Sequence, residues 1–314
     1  MHRSGTSAIT QAIGRLGASM GDESQLHRHR ENVPLREVNE RLLEAGGGSW
    51  ASPPARGWLD TEPVAILRDR AKQILDQEYP DADVAIWKDP RTCLTLPFWL
   101  DLIDGEPHFL VIHRHPTEVA ASLATRNGFG TGLGYALWER YNADALAAMA
   151  GRPAIVVDYA RVVTEPIEVL GQVRSAVVEA GVELPNDPAT TDHGLVAQKR
   201  HHTAETDDAL DEIATPSQHE LFARLRALEG AHAALPGSAE PPAQSPLSVE
   251  LLELVGKVRA SRQARRRPRP TEDAVVQRSG RTVQGRAKRR KRRQAATDEG
   301  EAIEATTAEW PGPA

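Results

Sequence analysis

Two stretches of this sequence follow the same order: a short apolar run, a polar turn, then an amphipathic helix punctuated by proline and glycine. PHFLVIHRHP at 107–116 leads into PTEVAASLATRNG, with proline at the helix start and Gly128 just past its end. RPAIVVDYARV near 152–162 leads into PIEVLGQVRSAVVEAG, which ends at Gly181. A third apolar run, DADVAIWKDP at 81–90, reads as another strand, and LTLPFWLDLI after it as a helix or tight apolar turn. Strands that are apolar nearly throughout are covered on both faces, which constrains the chain to an α/β fold: a parallel sheet between two layers of helices. Ligands then bind at the carboxyl ends of the strands. Further helices are expected at 133–150, from Ser217 and after Ser245, the last running into a basic tail. No internal repeat occurs.

The chain opens MHRSGTSAITQAIGRLGASMG, where Ile9, Ile13, Leu16 and Met20 line one face of a helix and Ser4, Gly5, Thr6 and Ser7 form its N-terminus. Unpaired backbone N–H groups, the helix dipole, three hydroxyls and Arg3 converge there, a set suited to phosphate or sulfate. Ordinary Ser/Thr capping accounts for the same residues. A loop of this kind normally follows a central buried strand. Methionine stands in that place, so the sheet's first strand is expected to lie upstream in a longer natural product.

The net charge of −6 hides a division. Of 38 lysines and arginines, 16 fall within 257–293, whereas only 7 of 44 acidic residues lie beyond Gly256. The body, 1–235, reads as one domain, and 236–314 as a linker, an amphipathic helix and a disordered polybasic tail. Such a tail attracts any polyanion through counterion release, or simply stays solvated. One cysteine, Cys93, excludes an intrachain disulfide and a cysteine-rich metal site. No charged-then-apolar leader and no run of about 20 apolar residues occurs, so a cytoplasmic protein without a transmembrane segment is expected.

Four polar segments fall at strand ends: HRSGTS, WKDPR, HRHPTEVAAS and DYARVVTEP. Their order and spacing over residues 1–235 resemble the sulfotransferases that use 3′-phosphoadenosine-5′-phosphosulfate (PAPS), especially the bacterial branch with an HRSGTS loop. The resemblance implies a three-layer, P-loop-like parallel sheet. It assigns Arg3, Ser4, Gly5, Thr6 and Ser7 to the 5′-phosphosulfate, with Arg3 where many members carry lysine, and Arg114 and Ser122 to the 3′-phosphate. It assigns Tyr159 a place near the adenine, although Ala160 and Arg161 replace the usual acidic residues. Lys88 matches the family's catalytic lysine, and Arg3 would stabilise charge on the departing oxygen. The family's histidine two residues after that lysine is Pro90 here, so the base is sought elsewhere. Glu31 corresponds to a glutamate of the bacterial and glycan enzymes, and Asp89 is the reserve. The KRHH run at 199–202 offers cations for a late loop over the 3′-phosphate.

Sulfuryl transfer obliges no metal, because the moving group carries little net charge; His27, His29 and Glu31, or His201 and His202, are the residues a metal site would use. The implied acceptor is a small-molecule, glycan or lipid hydroxyl or amine. Two other readings stay open. One is a non-catalytic sulfotransferase-like protein whose tail binds nucleic acid or anionic membrane. The other is a P-loop kinase, disfavoured by Thr6 where that loop needs lysine.

Overall fold

A computed structural model of the chain describes residues 1–80, 82, 84–192, 194–195, 212–236 and 241–266. In order the elements are α1 (Thr6–Arg15), α2 (Val33–Ala45), α3 (Glu62–Ala65), α4 (Arg68–Glu78), α5 (Thr92–Leu100), β1 (Phe109–His113), α6 (Pro116–Asn127) and α7 (Thr131–Met149). Then come β2 (Ala154–Asp158), α8 (Tyr159–Thr164), α9 (Pro166–Glu179), α10 (Pro216–Ala227), β3 (Gly230–His232) and α11 (Pro246–Arg266).

The fold is α/β, with a mixed sheet of three strands among the described residues, in the order β1-β2-β3. β1 and β2 pair in parallel, Phe109 opposite Ala154 through His113 opposite Asp158, as their βα units require. The all-parallel expectation is corrected by β3, which runs antiparallel to β2 with Gly230 opposite Val156. This strand falls inside a run whose apolar spacing reads as the end of a helix; α10 stops at Ala227 instead. No strand forms among the described residues of the run 81–90. There, Ala85 makes an isolated parallel bridge with Ser19, whose N–H donates to the Val84 carbonyl and whose carbonyl accepts from the Ile86 N–H.

Side-chain alternation along β1 and β2 covers both faces of the sheet. Ala154 and Val156 join a core with Leu35, Trp99, Leu123, Trp138 and Phe222 from α2, α5, α6, α7 and α10. Ile155 and Val157 face Ile9, Ile13, Val169 and Leu170 from α1 and α9. Burial of each such leucine or isoleucine contributes about 2 kcal/mol, which seats α1 although its N-cap makes no side-chain hydrogen bond.

Residues Met1–Ala260 form one compact unit; of the second, Ser261–Ala314, the described part is the end of α11. Packing therefore continues past the boundary expected at 235. Leu252 of α11 lies in the core, and the buried Glu139 of α7 accepts from the Ser245 N–H (2.6 Å), the Ser248 hydroxyl (2.6 Å) and Gln218 Nε2 (3.0 Å). The KRHH run and the basic tail beyond 266 lie outside the described residues. No described helix is long and apolar enough to cross a membrane.

Candidate functional site

A cleft of about 760 Å³ opens at the carboxyl ends of β1 and β2, where a parallel sheet places its ligands. The opening turn forms one wall. Arg3 and Gly5 both adopt positive φ (69° and 80°), and Gly5 caps α1. A Cβ on Gly5 would penetrate the edge of the Tyr159 ring, so only glycine lets the turn sit this close to α8. Arg3 in the left-handed region costs about 1 kcal/mol, strain of the kind that gathers at binding sites.

The clusters separated in sequence are in contact. Arg3 Nε donates to Ser122 Oγ at 2.7 Å, and Arg114 Nη1 donates to the Arg3 carbonyl at 3.0 Å. Arg114 also lies 4.5 Å above the Tyr159 ring, so Tyr159 floors the turn and the arginine together. Thr6, Ser7, Glu31 and Lys88 line the same cleft. Ser4 does not: it is buried beneath the turn.

Lys88 Nζ stands 3.3 Å from Ser7 Oγ and 3.2 Å from Glu31 Oε1, bridging the anion turn and the carboxylate. Burial moves the lysine below its ordinary value, against the opposing pull of Glu31 and Asp89. Glu31 is 8% exposed. Asp89, the reserve base, is engaged elsewhere: its Oδ1 accepts from the Arg91 N–H and Nη1, both at 2.9 Å, and its Oδ2 from Asn39 Nδ2 at 2.9 Å. With a fully buried side chain it is a structural ion pair, unable to reach an acceptor.

Two other polar groups of the cleft, His2 and Arg126, have no role assigned by the sequence. His2 is packed 4.8 Å from Trp50 and 5.8 Å from Tyr141. Arg126 ends α6, one turn beyond Ser122; that i+4 spacing is the signal that could have marked it. His113 and His115 both pack against Phe222.

His27, His29 and Glu31 do not gather three ligand atoms. Among the described residues, His113, Asp158 and Glu229 do, one atom each within 4.8 Å of the others. They end or precede three neighbouring strands, yet they already serve one another and the backbone. His113 Nε2 bonds Glu229 Oε1 at 3.2 Å, and Asp158 accepts the Ala160 N–H at 2.7 Å. Glu229 is drawn below its ordinary value by the His113 hydrogen bond and by Arg161 and Arg226. The arginine-rich surroundings suit an anion better than a dication. No protein-family model, curated protein or solved structure matches this chain.

Proposed function

We propose that this protein is a PAPS-dependent sulfotransferase on a P-loop-like scaffold, moving a sulfuryl group to a hydroxyl or amine of a small molecule, glycan or lipid. The observation that carries the reading is one cleft holding a glycine-containing anion turn at a helix N-terminus and, bonded to that turn through Ser7, the Lys88–Glu31 pair. Glu31 takes the acceptor's proton as the acceptor oxygen or nitrogen bonds to sulfur. Lys88 donates to the bridging oxygen as its bond to sulfur breaks and the electron pair stays on the departing phosphate. A lysine depressed by burial gives up its proton more readily than an exposed one, which suits that role. The backbone N–H groups of α1 and the hydroxyls of Thr6 and Ser7 hold the phosphosulfate oxygens.

The test is transfer of labelled sulfate from PAPS onto hydroxyl- and amine-bearing fractions by the purified full chain. Replacing Lys88 with Met or Glu31 with Gln is expected to lower turnover by about 100-fold or more. If the chain fails to bind 3′-phosphoadenosine-5′-phosphate, the assignment falls.

A further inference from the structure

One face of α11 is fastened to the body. Ser248 and Leu252 are buried, and one turn and a half further on Arg259 donates to the Gly48 carbonyl. Spacings of four and seven place these three residues on the same side of the helix. Beside that side runs a second apolar row, Leu247, Leu251, Leu254 and Val258, at spacings of four, three and four, the repeat of a coiled-coil seam. Leu251 leans against the core, whereas Leu247, Leu254 and Val258 are 62%, 56% and 44% exposed. No other described helix leaves three large apolar side chains in water, and an apolar row held in a fixed orientation is suited to a protein partner.

The charges along this helix say which partner. Its N-terminal half carries Glu250 and Glu253, its C-terminal half Lys257 and Arg262. Glu250 and Lys257 border the row on the flank opposite the body, and Lys257 pairs with Glu253 at 3.6 Å while both side chains stay largely exposed. Two such rows laid parallel would oppose Glu250 to Glu250 and bring together the basic runs that follow α11. Laid antiparallel about a two-fold axis at Leu254, they set Leu251 over the partner's Val258 and Leu254 against its own copy. Glu250 of each then comes within a helical turn of the partner's Lys257. An anionic membrane surface would instead meet both carboxylates.

We propose that α11 is a dimerisation helix, whose Leu247–Leu251–Leu254–Val258 row packs antiparallel on the same row of a second copy of this chain. The contact is self-complementary in shape and in charge, as a two-fold interface requires.

Sedimentation equilibrium of the full chain up to about 100 μM tests it. Wild type is expected to show a monomer–dimer equilibrium. Leu254→Glu, at an exposed position, should keep the circular dichroism spectrum of wild type and weaken the dimer about ten-fold or more. Glu250→Lys and Lys257→Glu should each weaken it by about three-fold, and the two together should restore it, because the exchanged charges meet again only in an antiparallel pair. The proposal is overturned if wild type stays monomeric over that range, including when it binds phosphatidylserine vesicles through the row, or if Leu254→Glu dimerises as tightly as wild type. It is equally overturned if the single charge changes leave the dimer untouched, or if the double variant stays as weak as either one.

Discussion

His2 packs between Trp50 and Tyr141 beside the anion turn, and its Nε2 is sealed from solvent without a partner. Desolvation first, then Arg91, the amino terminus, Lys88 and Arg126, hold the imidazole well below its ordinary value of 6.5. As pH falls through 6.5 the unfolded chain takes a proton that the folded chain refuses, so stability declines from there down to the folded value. His29 is lowered as well, chiefly by desolvation, and contributes in the same sense. His2→Gln should therefore flatten, without abolishing, the loss of stability on acidification, by at most about 1.4 kcal/mol per pH unit. Denaturant unfolding at neutral and mildly acidic pH measures it; parallel slopes for variant and wild type would remove His2 from the account. The same residue marks a limit of the sequence. Arg3, Gly5, Lys88, Glu31 and Arg114 are legible because their types and spacing form motifs. His2 opens the HRSGTS segment without an assigned role and Arg126 lies outside the four segments, and only neighbours distant in sequence give them a place in the cleft.

Asn39 binds one element to another. From α2 its Nδ2 donates to Asp89 at 2.9 Å, while its Oδ1 accepts from Thr95 Oγ1 at 2.7 Å and Trp99 Nε1 at 2.8 Å on α5. All four side chains are buried, so Asn39→Ala strips Asp89 Oδ2 and the Trp99 indole N–H of their Asn39 bonds, while Thr95 keeps its bond to the Arg91 carbonyl, and should destabilise the fold by about 3 kcal/mol. Because Asp89 neighbours Lys88, the loss should also reach the cleft; a variant as stable as wild type in denaturant unfolding would refute the hub. The helices themselves were readable. Proline at N1 and glycine at the C-cap bound α6, with Gly128 at φ 68°, and periodicity locates α7 and α9. The strands were readable only in part. β1 and β2 are apolar runs of five residues, whereas β3 has three residues whose strand character comes from pairing with β2. The run at 81–90 has strand composition, but among its described residues the pairing stops at the Ser19–Ala85 bridge.

For the molecule as a whole, the decisive packing is that of α11 on the body. A chain ending at 236 loses Leu252 from the core and strips the buried Glu139 carboxylate of the Ser245 and Ser248 donors. It should be less stable by about 3 kcal/mol or more than a chain ending at 266, with a lower thermal midpoint as the measurement. Equal midpoints would return α11 to the status of an appendage. The sequence by itself determined the α/β class, the two parallel βα units, the ends of α6 and the division between an acidic body and a basic tail. Those follow from local periodicity, backbone stereochemistry and charge, which need no knowledge of the partner across the core. Only the tertiary structure decided that the sheet is mixed, that Asp89 is sequestered while Glu31 meets Lys88, and that Arg114 is paired with Glu118. The first two depend on contacts between segments tens of residues apart, and a side chain's charge becomes available or neutralised only when its contacts form.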